Sequence, residues 1–130
     1  MHKRLNPKTI APPVAAGYFS HAIEVAPNAR WLYLSGQAGV RPDGQTPADF
    51  AGQAEQTFAN IQAILADAGM EVGDLVKLVV YILRPEDLPD LRRIRNQFLG
   101  DARPAQTLVR VAGLAVPGWL IEVEAVAARS

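Results

Sequence analysis

The period of the apolar positions changes several times along the chain, and each change marks an element. "FSHAIEVA" (19–26) and "WLYLSGQ" (31–37) are short, rich in aromatic and β-branched residues, and read as strands. "PNAR" between them supplies a turn, so the pair is predicted to form a hairpin. The residues before them, ending near "APPVAAG", read as an irregular start. A loop with a Pro-Asp-Gly turn, "AGVRPDGQ", follows the second strand.

The period then lengthens. Ala54, Phe58, Ile61, Leu65 and Ala68 recur every three or four residues and form one apolar helical stripe. Thr46 is the predicted N-cap, with Pro47 at the first helical position, Asp49 three residues after the cap, and Gly69 as the stop. "LVKLVVYIL" (75–83) is apolar at nearly every position, which predicts a strand buried on both faces. "PEDLPDLRRIRNQFLG" (85–100) predicts a second helix, with Leu88, Leu91, Ile94 and Phe98 inward, Pro89 in the first turn and Gly100 as the stop. "QTLVRVAGL" (106–114) and "WLIEVEAVA" (119–127) close the chain as two strands around the turn "AVPG".

The order β-β-α-β-α-β-β makes a single α+β domain over residues 1–130. Right-handed crossovers place both helices on one face of a mixed sheet. The other face is expected to carry Leu108, Leu120, Val126 and one side of 75–83. A monomer rarely leaves such a patch in water, so a homo-oligomer with pockets where sheet edges meet is expected. The alternative is an N-terminal segment that covers the patch.

Composition narrows the chemistry. Apolar residues make up 49% of the 130 and charged residues 20%, the balance of a folded domain. Thirteen basic and thirteen acidic side chains cancel, which weighs against a general nucleic-acid binder. With no cysteine and two histidines, disulfides, thiolate chemistry and a structural zinc are out, and no metal or cofactor is expected. No apolar run approaches a membrane span, and "MHKRLNPKT" is not a signal peptide. The expectation is a cytoplasmic protein with no membrane partner.

Several residues could carry chemistry. Glu122 and Glu124 share a strand parity and face away from Trp119, Ile121 and Val123, toward the uncovered side. A carboxylate there can serve as a general acid or base, or can be paired with an arginine such as Arg110. Ser35 and Gln37 end a strand beside Gly36, where a ligand can approach the backbone closely; a strand-ending turn would need glycine as well. Tyr18 can close a pocket with its ring or simply pack, and His21 reads as a surface position. Arg92, Arg93 and Arg95 lie on or beside the polar side of the second helix; with Arg84 and Arg103 they could form a small basic patch suited to a carboxylate.

Six segments in order resemble the RidA (YjgF-like) family: "GYFSHAIEV" (17–25), "LYLSGQAG" (32–39), "QAEQTFANIQAILADAG" (53–69), "DLVKLVVYIL" (74–83), "RPAQTLVRVAGL" (103–114) and "LIEVEAVA" (120–127). The resemblance implies a chorismate-mutase-like fold and a homotrimer with three ligand pockets between subunits. It also implies hydrolysis of enamines and imines to keto acids and ammonia, without a cofactor. The motif-matched positions are Tyr18, Ser35, Gln106 and Glu122. In the deaminases the position of Gln106 is an arginine that clamps the substrate carboxylate. Arg95 stands where the helix usually has an asparagine, and Leu108 where a small or thiol residue faces the pocket. Two readings follow: a diverged member that binds a different small molecule, or an imine deaminase whose cation is supplied by Arg95 or Arg103. An RNA-acting role, described for some relatives, has the least support from the charge balance.

Overall fold

The computed structural model describes residues 2–13 and 18–130. Two helices pack on one face of a four-stranded mixed sheet, an α+β arrangement. The strands are β1 (Lys3–Leu5), β2 (Ala22–Glu24), β3 (Arg30–Gln37), β4 (Leu75–Ile82), β5 (Ala105–Arg110) and β6 (Ile121–Arg129). The helices are α1 (Phe50–Asp67), between β3 and β4, and α2 (Leu88–Leu99), between β4 and β5. The main sheet has the order β3-β6-β4-β5, so the last strand inserts between β3 and β4. β4 and β5 run parallel, whereas β6 is antiparallel to both its neighbours.

The core is one cluster between the helices and the sheet. Phe58, Ile61 and Leu65 of α1 and Leu91 and Ile94 of α2 close over Leu78, Val80 and Ile82 of β4 and Ile121 and Val123 of β6. The Phe58 and Phe98 rings meet at 4.8 Å between the helices. Gln53, buried in the core, has its amide satisfied: it donates to the Pro47 and Gly118 carbonyls and accepts from Leu120 N–H. That one side chain ties the start of α1 to the entry of β6.

Four expectations are corrected. First, β2 does not form a hairpin with β3; it pairs with β1, inside the stretch read as an irregular start. β2 is three residues long and only its middle residue is partly buried, so the apolar pattern cannot specify a partner. Position is set instead by Ser20, whose N–H donates to the Pro104 carbonyl and whose hydroxyl donates to the Arg103 carbonyl. Second, Asp49 is the N-cap of α1, in place of Thr46; its backbone is extended and its carboxylate accepts from Gly52 N–H. Third, β4 is buried on one face: Leu78, Val80 and Ile82 face the helices, while Lys77, Val79 and Tyr81 are only partly covered. Fourth, Leu108 and Leu120 pack against the helix-side core and do not line the open face.

The open face is nevertheless apolar. Trp31 and Tyr33, stacked with ring centroids 6.2 Å apart, are 51% and 74% exposed there. Val79, Tyr81, Val109 and Val126 continue the same surface by strand parity and register.

Candidate functional site

The sequence-predicted residues fall into two groups. Ser35 and Gly36 lie in a break of register between Leu34↔Ala125 and Gln37↔Val123, where two residues of β3 oppose only Glu124 of β6. Such a bulge re-aims the strand. Glu122 uses the space: a Cβ on Gly36 would stand 2.1 Å from Glu122 Oε2, so the carboxylate lies directly over the glycine. Gly36 is the clearance that seats Glu122 on the open face.

Beside it stands a residue the sequence reading missed. Tyr81 pairs with Glu122 across β4 and β6, and its hydroxyl donates to Glu124 Oε1. That hydrogen bond first, then loss of solvent, then the charges of Glu124 and Glu122, hold the phenol above its ordinary pKa. Glu124 is therefore engaged by Tyr81, and among the described residues no ion pair joins either glutamate to Arg110. The parity of Tyr81 was legible in "LVKLVVYIL"; its partner was not, because that depends on β6 inserting beside β4.

The second group gathers at the mouth of β5. The Arg103 guanidinium lies 4.3 Å from the centroid of the Tyr18 ring, a cation–π contact, and Nη1 donates to the Gly100 and Ala102 carbonyls. Gln106 follows three residues later, level with Leu78 of β4, and Leu108 is level with Val80. Both therefore face the helix side. Gln106 Oε1 is buried without a hydrogen-bond partner.

Arg95 corrects an expectation. It is only 2% exposed, on the inner rather than the polar side of α2, and its Nε and Nη2 donate to Asn96 Oδ1 at 3.1 and 3.0 Å. Burial, and then the charge of Arg92, lower its pKa from the ordinary guanidinium value. His21 is exposed as expected, its Nε2 2.7 Å from the Ala11 carbonyl oxygen. Gly17, which precedes Tyr18 in the family-like segment, lies outside the described residues.

The two groups do not meet within one chain. Tyr81 is level with both Glu122 and Val109, so Glu122 lies two strands across from β5 and three residues beyond Gln106. With strands about 4.8 Å apart and about 3.3 Å per residue, the Cα atoms are separated by on the order of 14 Å. Their side chains also leave opposite faces of the sheet. Among the described residues no three His, Asp or Glu side chains gather to hold a metal, and no helix is long and apolar enough to cross a membrane.

Comparison with known proteins agrees with this architecture. A family model described as endoribonuclease L-PSP matches residues 9–129. A 2-iminobutanoate/2-iminopropanoate deaminase of Escherichia coli is 35% identical over 129 residues, covering 94% of this chain and 98% of that protein. The crystal structure of the Rid-family protein YyfB of Yersinia pestis superimposes with a TM-score of 0.85 at 33% identity, over 97% of each chain. That of Escherichia coli TdcF with bound serine gives 0.74 at 31% identity, over 98% of this chain and 100% of that one.

Proposed function

The chain belongs to the endoribonuclease L-PSP family, the group of the RidA- and YjgF-type proteins, and from that premise we propose that it binds a small neutral metabolite in pockets shared between the subunits of a homotrimer. Ser35, Gly36 and Glu122 of one subunit supply one wall, and Tyr18 and Gln106 of the next supply the other. The observation that carries this reading is the separation of the two groups on opposite faces of one sheet. A second copy that sets its β5 edge, with Tyr18 and Gln106, against the open face of the first brings the unlike halves together.

Glu122 is the acid–base group. Its carboxylate takes a proton from a water as the water oxygen bonds to a C=N or C=O carbon of the ligand and the π pair moves to the heteroatom; the carboxyl then returns that proton to the departing heteroatom, and Ser35 hydrogen-bonds to the same centre. Gln106 sets what is read. An arginine at its position binds a carboxylate through two charge-assisted hydrogen bonds, whereas an amide offers one neutral bond. The exchange weakens a carboxylate by on the order of 1–2 kcal/mol, or roughly five- to thirtyfold. A carboxamide loses nothing comparable. The endoribonuclease of the family description draws no support from a chain with zero net charge.

Calorimetric titration with 2-oxobutanamide and 2-oxobutanoate tests this. The amide is expected to bind more tightly to the wild type, and Gln106→Arg to invert the order. Tighter binding of the carboxylate by the wild type would overturn it. The second reading is an imine deaminase with a relocated cation, favoured by the guanidinium of Arg103 beside Tyr18. It requires that Arg103→Ala or Arg95→Ala abolish turnover of 2-iminobutanoate; wild-type rates in both would exclude it.

A further inference from the structure

A small cavity of about 140 Å³ is lined by His2, Arg4, Ile23, Gly73, Leu75 and Arg103, the last of which also carries the Tyr18 ring. At about 30 Å³ per liquid water it has room for a few waters or one anionic group, and not for a nucleotide. Two of its lining residues are arginines, both with guanidinium groups held by backbone carbonyls. Arg4 Nη2 donates to the Asp101 carbonyl at 2.8 Å, and Arg103 Nη1 donates to the Gly100 and Ala102 carbonyls at 2.7 and 2.8 Å. Three consecutive carbonyls thus anchor both cations. Successive Cα atoms are about 3.8 Å apart, so the two charges are held within on the order of 10 Å of each other.

Nothing among the described residues neutralises them. The ion pairs of the molecule involve Arg84, Arg93 and Arg129, and neither Arg4 nor Arg103 has a carboxylate within 4.0 Å. The nearest buried acid in sequence, Asp74 beside Gly73, already binds Arg129 Nη1 at 2.8 Å and the Glu71 N–H. His2 is a wall rather than a ligand. Ala26 N–H donates to its Nδ1, which fixes the ring proton on Nε2, 2.6 Å from the Ala128 carbonyl oxygen. Among the described residues, the Nε groups of both arginines, Nη2 of Arg103 and Nη1 of Arg4 have no hydrogen-bond acceptor.

We propose that this cavity is a second binding site, for a small oxyanion of the phosphate or carboxylate class held between the forks of Arg4 and Arg103. The anion replaces the mutual repulsion of two neighbouring cations with charge-assisted hydrogen bonds. The site is joined to the pocket wall: Arg103 carries the Tyr18 ring on its guanidinium and the Ser20 hydroxyl on its carbonyl. Anion binding therefore stiffens the Tyr18 wall, and a ligand against Tyr18 raises anion affinity by the same factor. The binding itself does not depend on the function proposed above; only this coupling does.

The test is titration of the full chain with inorganic phosphate and with acetate, against sodium chloride at matched ionic strength, by calorimetry and thermal melting. Saturable binding of one or both oxyanions, absent with chloride, is expected, with a rise in melting temperature that follows occupancy. Arg4→Gln, at an exposed position where folding is safe, should weaken it at least tenfold. Arg41→Gln, in an exposed loop elsewhere, should leave it unchanged. Absence of saturable binding, or equal affinity in wild type and Arg4→Gln, would overturn the proposal. Neither result bears on whether 2-oxobutanamide binds.

Discussion

Gly36 and Gly39 lie three residues apart, and a methyl group added to each meets a different obstacle. At Gly36 it reaches the free end of Glu122, 2.1 Å from Oε2, and that carboxylate can swing away. Gly36→Ala is therefore expected to change stability by less than about 1 kcal/mol. If Glu122 is the acid–base group proposed above, ligand affinity or turnover should nevertheless fall at least tenfold, because its carboxylate is displaced. At Gly39 the methyl group stands 2.7 Å from the Cα and carbonyl oxygen of Gln53, which are helix backbone and cannot yield. Gly39→Ala should cost about 1–3 kcal/mol, seen as a lower melting temperature. The segment "LSGQAG" displays both glycines, but which one clears a carboxylate is decided by the pairing of β3 with β6 and by a bulge. Those are long-range facts that no local pattern carries. Arg95 is a similar case: its place on the inner side of α2 follows from how the helix docks, not from its charge.

The elements were legible where their period is long or their stops are strong. α1, β4 and α2 appear where the apolar stripe and the glycines at 69 and 100 put them, and both glycines take positive φ. The start of α1 was misplaced because Thr46-Pro47 and Asp49 are competing caps, and the Gln53 bond to the Pro47 carbonyl favours the later one. Asp49→Ala should therefore lose about 1 kcal/mol and Thr46→Ala only a few tenths, a difference that denaturant titration resolves. The shortest strands were the least legible. β1 lies in a stretch read as irregular, and β2, foreseen as a strand within 19–26, has another partner than expected. Both bury too little to specify a pairing, and their places are fixed by His2 and Ser20 through bonds to distant carbonyls.

At the scale of the molecule, the outcome that matters is the uncovered sheet face. Its existence followed from the order of elements alone, and its membership in part: Val79, Tyr81 and Val126 lie there as expected, Leu108 and Leu120 turn to the helix side, and Trp31 and Tyr33 join it from β3. If that face joins three subunits, Tyr33→Lys places a charge in the interface while costing the single chain little, since the ring is 74% exposed there. Sedimentation should then show the trimer of the wild type replaced by monomer, and helical circular dichroism should be unchanged. The site assigned to the assembled molecule rests on Gln106, and its most direct test is clearance of enzymatically generated 2-iminobutanoate by wild type and Gln106→Arg side by side. If Tyr18, Ser35 and Glu122 act as proposed, the arginine variant gains roughly five- to thirtyfold, the worth of the restored carboxylate clamp. Wild type that clears the imine as fast as Gln106→Arg would contradict it.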